Sequence, residues 1–134
     1  MSDPILIVED EFFIAFEMKR ILEQHGYEVA GIAADREGAM AIANQGIALA
    51  LVDLNLRDGL TGPDIGARLA QDLGVTVIFI TANPRQLGDG VAGTIGVLTK
   101  PADAQTLTDA VSFALERRRG LAKDPPQALR CFGG

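Results

Sequence analysis

Four residues with the chemistry of a phosphoryl-transfer site lie at or next to the ends of four apolar runs in this chain. Asp10 follows ILIVE, Asp53 ends ALALVD, Thr81 ends VTVIFIT, and Lys100 closes GVLTK. A carboxylate such as that of Asp53 can attack a phosphoryl group and form an acyl phosphate. Because this attack brings two anions together, it needs a divalent cation and a basic side chain beside it. The residue types therefore indicate aspartyl-phosphate chemistry.

A Mg²⁺ ion is the cofactor that this chemistry requires. Asp10 is placed to hold the ion together with Asp53, because both follow apolar runs. Glu9 could add a ligand through a water molecule, and the backbone carbonyl of Asn55, two residues past the nucleophile, could complete the set. We therefore expect Glu9, Asp10, Asp53 and Asn55 to form the metal site.

Lys100 and Thr81 supply the remaining electrostatics. The Lys100 ammonium can pair with Asp53 before phosphorylation and with a phosphoryl oxygen afterwards. The hydroxyl of Thr81 can donate a hydrogen bond to the new phosphoryl group. No residue resembles a dedicated general base, and phosphoryl transfer needs little beyond position and electrostatics. The phosphodonor chemistry is thus left to a partner, and we expect a phosphoacceptor, not an enzyme.

Alternating apolar and helical segments must position these side chains, and they predict five β-α units. The predicted strands are residues 5–9, 28–33, 48–53, 75–81 and 94–99. The predicted helices are residues 12–25, 36–44, 63–72, a weak segment at 84–92, and 104–119. Continuous apolar strands indicate a parallel sheet covered by helices on both faces. Because ligands collect at the carboxyl ends of such strands, the four side chains should converge.

Two segments have weak structural signals. Between Thr81 and Lys100 the chain carries Pro84 and several glycines, and each interior glycine costs a helix about 0.8–1 kcal/mol relative to alanine, so a fourth helix should be short or mobile. After Arg119 the sequence GLAKDPPQALRCFGG has no apolar period. We predict one domain over residues 1–119 and a disordered tail over residues 120–134.

Composition narrows the class of protein. A chain of 134 residues suits a single domain, and its net charge of −6 argues against a nucleic-acid partner. No stretch approaches the roughly 18 apolar residues of a membrane span. The single cysteine, Cys131, cannot form an internal disulfide, so a reducing cytoplasm is expected.

Taken together, these motifs resemble the receiver domain of two-component response regulators. The resemblance covers roughly residues 4–119 and rests on the acidic pair Glu9-Asp10, Asp53 in DLNL, Thr81-Ala82 and Lys100-Pro101. It implies a flavodoxin-like fold with strand order 2-1-3-4-5 and Mg²⁺-dependent phosphorylation of Asp53. It further implies a sensor histidine kinase or phosphotransfer protein as partner, and slow self-dephosphorylation.

The chain departs from the common receiver pattern in three places. DLNLRDGLTG lacks the usual proline and places Gly62 one residue farther from Asp53, as in receivers of general-stress-response regulators and related stand-alone receivers. Val97 stands three residues before Lys100, where an aromatic switch residue is usual. The segment between Thr81 and Lys100 is shortened where many receivers dimerise, so a monomer or weak dimer is expected.

The output of such a protein should be a contact with another protein. We expect no effector domain after Arg119 and therefore no DNA-binding output. Phe12, Phe13 and Phe16 cannot all face the core, and with Pro101 they form a candidate partner surface beside the active site. Partial burial of these rings under neighbouring loops is the alternative.

Three other functions are compatible with parts of the pattern. A flavodoxin-like small-ligand binder would need a glycine- or hydroxyl-rich phosphate loop, where this chain has EDEFF. A pseudo-receiver would bind its partner without phosphorylation, although Asp10, Asp53, Thr81 and Lys100 are all present. A metal-dependent phosphatase would carry a second acid two residues after Asp53, where this chain has Asn55.

Overall fold

A parallel β-sheet with helices on both faces forms the core of the protein. The computed structural model describes residues 3–133, so Met1 and Ser2 of the predicted domain and Gly134 of the predicted tail lie outside it. The strands are β1 (Ile5–Val8), β2 (Val29–Ala33), β3 (Leu49–Val52), β4 (Thr76–Thr81), β5 (Gly96–Thr99) and β6 (Arg130–Cys131). The α-helices are α1 (Phe12–Gln24), α2 (Arg36–Ala43), α3 (Gly62–Leu73) and α4 (Ala104–Arg118).

The sheet has the predicted topology. Its order is β2-β1-β3-β4-β5-β6, and the first five strands are parallel. The flavodoxin-like order 2-1-3-4-5 is therefore confirmed, with one further strand added at the β5 edge.

The two faces of the sheet carry separate apolar layers because side chains alternate along a strand. Ile5 and Ile7 of β1 pack with residues of α1 and α4, whereas Leu6 and Val8 pack with residues of α2 and α3. This double cover explains why β1 and β3 are apolar at every position. Within residues 3–133, no helix is both long enough and apolar enough to cross a bilayer.

Side-chain caps fix where two helices begin. The carboxylate of Asp35 accepts a hydrogen bond from the backbone N–H of Gly38 at 2.9 Å, and that of Asp103 accepts one from Thr106 at 2.8 Å. Each cap satisfies a backbone donor that the first helical turn leaves unpaired. α2 and α4 therefore begin at residues 36 and 104, where the sequence predicts these two helices to begin.

The weak fourth helical segment forms one 3₁₀ turn, Pro84–Leu87. Gly88 and Gly90 follow it with φ angles of 53° and 116°, in the left-handed region that favours glycine. A helix cannot continue through these angles, so the prediction of a short helix is confirmed. Val97 stands where receivers usually carry an aromatic switch residue, and it is buried in the same apolar layer as Phe79.

The prediction of a disordered tail is wrong for residues 129–132. β6 pairs antiparallel with β5, and the backbone N–H of Phe132 donates to the carbonyl of Ile95 at 2.9 Å. Leu129 is buried, and the ring of Phe132 lies against Phe79 with 6.4 Å between ring centroids. These isolated apolar residues have no sequence period, and they become ordered because the edge of β5 and the space beside the short 3₁₀ turn accept them.

Candidate functional site

Three carboxylates converge at the carboxyl ends of β1 and β3. These strands are neighbours whose last residues, Val8 and Val52, lie in register, so the residues that follow them meet. Glu9, Asp10 and Asp53 each place one carboxylate oxygen within 4.8 Å of the others. Residues from two distant parts of the chain thus form one acidic cluster, as their strand-end positions predict.

Lys100, which follows β5, bridges two members of this cluster. Its Nζ donates a hydrogen bond to Oδ2 of Asp53 at 2.9 Å and another to Oε1 of Glu9. The Glu9 side chain is only 1% exposed, and its second oxygen accepts a hydrogen bond from the backbone N–H of Glu11 at 3.2 Å. The pairing of Lys100 with Asp53 was predicted, whereas its pairing with Glu9 was not.

Burial and pairing set the ionisation of this bridge. Burial raises the pKa of the Glu9 carboxyl, although the hydrogen bonds from Lys100 and the Glu11 backbone oppose the shift. Burial alone would lower the pKa of Lys100, but its hydrogen bonds to Glu9 and Asp53 outweigh that effect and raise it. The pKa shift of Lys100 therefore favours its ammonium form.

The backbone around Asp53 is held from two sides. Oδ1 of Asp53 accepts a hydrogen bond from the backbone N–H of Leu54 at 2.7 Å, while Oδ2 faces Lys100. Gly62 donates its backbone N–H to the carbonyl of Leu54 at 3.0 Å. A Cβ on Gly62 would overlap the carbonyl oxygen of Asp53. Because Gly62 has no side chain, α3 can begin directly against the acceptor residue. The sequence shows the shifted spacing of Gly62 but not this reason for it.

Thr81 ends β4 with its hydroxyl buried. Its Oγ1 accepts a hydrogen bond from the backbone N–H of Asn83 at 3.0 Å, which leaves its own proton available for donation. The backbone N–H of Lys100 donates to the carbonyl of Thr81 at 2.8 Å. The ends of β4 and β5 are thereby joined, so Thr81 and Lys100 are positioned by the same pair of strands.

Asn55 connects the acceptor loop to the 3₁₀ turn. Its side-chain amide donates to Oε1 of Gln86 at 3.2 Å. Gln86 was not singled out from the sequence, and no pattern around it indicates this contact. The role of the Asn55 backbone carbonyl as a metal ligand stays a prediction.

An aromatic surface lies beside the acidic cluster. Phe12, Phe13 and Phe16 are 66%, 94% and 56% exposed, and the rings of Phe12 and Phe16 are stacked with centroids 6.0 Å apart. Phe13 and Pro101 line a groove of about 320 Å³ that extends to Lys100. Of the two alternatives for these rings, the structure therefore supports exposure and not burial under neighbouring loops. We call Phe12, Phe13, Phe16 and Pro101 the aromatic patch.

The chemistry of the acidic cluster matches a hard divalent cation. Carboxylate oxygens are the ligands that Mg²⁺ prefers, and three of them lie together here. Within the part of the chain that the structure describes, Lys100 is the cation that hydrogen-bonds to this cluster. The single ammonium of Lys100 does not balance the negative charge of three carboxylates, so a bound cation would be stabilised here. The residues therefore fit a Mg²⁺ ion.

Comparison with known proteins adds a family. The sequence model of a protein family, the response regulator receiver domain, matches residues 5–112 of this chain. The phyllosphere-induced regulator PhyR of Methylorubrum extorquens is 36% identical over 118 residues, which is 86% of this chain and 44% of PhyR. The transcriptional regulatory protein PdtaR of Mycobacterium tuberculosis is 30% identical over 121 residues, 86% of this chain and 58% of PdtaR. The chain thus spans about half the length of these relatives.

Solved structures show the same architecture. The response regulator PhyR from Brucella abortus aligns with a TM-score of 0.79 at 30% identity, covering 90% of this chain and 50% of that one. A CheY-like receiver domain protein from Methanospirillum hungatei aligns with a TM-score of 0.75 at 28% identity, covering 90% of this chain and 98% of that one.

Proposed function

The chain belongs to the response regulator receiver domain family, and from this we propose that Asp53 accepts a phosphoryl group from a histidine kinase or a phosphotransfer protein. The observation that carries the proposal is the bridge from Lys100 to Asp53 and Glu9 within the acidic cluster. A lysine held 2.9 Å from a partly buried carboxylate prepares that carboxylate for an incoming anion.

The transfer step needs only Asp53 as nucleophile. A carboxylate oxygen of Asp53 forms a bond to phosphorus while the bond from phosphorus to the donor nitrogen of a phosphohistidine breaks. The phosphoryl group is thus transferred from the phosphohistidine to Asp53, and no water is consumed. Lys100 can keep its ion pair with Glu9 and offer its remaining donors to a phosphoryl oxygen, and the available proton of Thr81 can be donated to another.

Asp10 and Asp53 would hold the Mg²⁺ ion, with the backbone carbonyl of Asn55 as a further ligand. The ion would neutralise charge on the phosphoryl oxygens during transfer. Both oxygens of Glu9 are already engaged, one by Lys100 and one by the Glu11 backbone, which favours a contact through water over direct ligation.

The aromatic patch of Phe12, Phe13, Phe16 and Pro101 is the surface we assign to the phosphodonor. It is apolar, exposed and continuous with the groove that reaches Lys100. A helical bundle that carries a phosphohistidine could cover this patch and present its phosphoryl group to Asp53. The output is a change in protein contacts, and a cytoplasmic location, expected from the single cysteine, stays a prediction.

Phosphorylation by a small donor tests this proposal. Incubation with acetyl phosphate and Mg²⁺ should add one phosphoryl group to the wild-type protein by intact mass, and none to Asp53→Asn. Asp58→Asn is the matched control, because Asp58 lies in the same loop but outside the acidic cluster. If the wild type gains no mass although it binds Mg²⁺, the protein is a pseudo-receiver and the proposal is wrong.

A further inference from the structure

The C-terminal strand holds the segment that follows β4. The guanidinium of Arg130 in β6 donates hydrogen bonds to the carbonyl of Gly88 at 3.3 Å and to that of Pro84 at 3.4 Å. These carbonyls lie at the start of the 3₁₀ turn and just after its end. One side chain of the tail therefore spans the whole turn.

Phe132, also in the tail, packs against the same segment after the 3₁₀ turn. Its ring lies against Phe79, beneath the Arg130 guanidinium at 5.4 Å, and it occupies the space that a side chain on Gly90 would need. The φ angle of 116° at Gly90 also favours glycine. The backbone after the 3₁₀ turn is thus shaped to receive the Phe132 ring.

The same segment contacts the phosphoacceptor site on its opposite side. Gln86 accepts a hydrogen bond from Asn55 at 3.2 Å, and the N–H of Asn83 donates to the Thr81 hydroxyl at 3.0 Å. The 83–90 segment therefore lies between the acceptor site and the tail, with side-chain hydrogen bonds in both directions.

We propose that residues 129–132 act as a strap that is released when Asp53 is phosphorylated, an inference that rests on the proposed function above. A phosphoryl group at Asp53 accepts a hydrogen bond from the Thr81 hydroxyl and draws that side chain toward it, so Oγ1 moves away from the backbone N–H of Asn83 and the start of the segment is freed. The two Arg130 hydrogen bonds are long, and a shift of the segment breaks them. By thermodynamic reciprocity, the docked strap opposes the phosphorylated arrangement to the same extent.

Cys131 provides a direct reporter of release. It is the only cysteine of the chain, it lies in β6, and its side chain is exposed. A nitroxide attached to Cys131 in the full chain should give a broad spectrum in the free protein. Beryllofluoride with Mg²⁺, a stable phosphoryl analogue, should sharpen that spectrum. The same label in the Asp53→Asn background should not respond.

Variants of the strap test the reciprocal effect. Arg130→Ala and Phe132→Ala should bind beryllofluoride about fivefold more tightly than the wild type, because less docking energy opposes the bound state. Lys123→Ala is the matched control, since Lys123 lies in the tail but pairs with Glu116 and not with the 83–90 segment. Its affinity should equal that of the wild type.

Bound beryllofluoride is measured separately by fluorine NMR, which distinguishes the two levels of failure. If no bound fluoride signal appears, the proposed phosphoacceptor function fails. The strap inference fails, while the proposed function stands, in either of two cases. In the first, beryllofluoride binds but the label at Cys131 keeps its broad spectrum. In the second, both strap variants bind beryllofluoride with wild-type affinity.

Discussion

The carbonyl oxygen of Asp53 lies so close to Gly62 that the first turn of α3 has no space for a side chain there. Gly62 also donates its backbone N–H to the carbonyl of Leu54, the residue after the acceptor. The start of α3 therefore supports the loop on which Asp53 depends.

Gly62→Ala should disturb both stability and phosphorylation. The added Cβ must displace the backbone of Asp53, and overpacking of this kind costs about 1–3 kcal/mol. We expect a lower free energy of unfolding in urea and slower mass gain with acetyl phosphate. Gly66→Ala is the control in the same helix, because its Cβ would overlap the Phe79 ring instead. It should lose stability but keep its phosphorylation rate once folded.

Lys100→Met should leave Glu9 buried without its cation. Removal of one partner from a buried ion pair costs about 3–5 kcal/mol. The double variant Glu9→Gln, Lys100→Met should recover much of this loss, because the most deeply buried carboxylate of the bridge no longer carries a charge. Urea unfolding at pH 7 without Mg²⁺ measures both, and equal stabilities for the single and double variants would contradict the prediction.

Mg²⁺ should stabilise the folded protein through the acidic cluster. A ligand at 100 times its dissociation constant adds about 2.7 kcal/mol when it binds only the folded state. The melting temperature should rise with Mg²⁺ and return to its starting value with a chelator. Asp10→Asn should abolish most of this response, and Asp58→Asn should retain it.

Phe13→Ser should slow transfer from a histidine kinase but not from acetyl phosphate. A central aromatic contact in an interface is worth about 2 kcal/mol or more, so we expect a loss of about thirtyfold or more in kcat/KM. Leu121→Ser removes another exposed apolar side chain, outside α1, and should have no effect. Equal losses with both phosphodonors would place Phe13 in the acceptor site rather than the docking surface.

The Asp35 cap should contribute to stability in a defined pH range. The hydrogen bond from the Gly38 backbone, aided by Arg57, lowers the pKa of Asp35 below its usual value of 3.8. Its contribution is therefore complete above that value and is lost as the pH falls through the lowered pKa. Urea unfolding between pH 2 and pH 6 should show a shallower acid loss for Asp35→Asn, which keeps a capping oxygen but does not titrate.

Strand-end positions were enough to predict much of the fold and the convergence of the acidic cluster. The carboxyl ends of parallel strands share one edge, so the places of Asp10, Asp53 and Lys100 follow from the pattern of apolar runs. The contact between Lys100 and Glu9 does not, because it depends on side-chain conformations in a buried space. Phe132 gave no signal either, since a strand of two residues has no period and its partners, Phe79 and Gly90, are far away in the sequence.

The two-residue strand β6 also has a consequence for self-association. An uncovered edge strand presents unpaired backbone N–H and C=O groups, which invite strands from other molecules and start aggregation. β6 occupies that position on β5 and ends the sheet with an exposed arginine. Loss of β6 would expose the backbone groups of Gly96 and Val97 at the edge of β5, so we expect a chain without this strand to self-associate more readily.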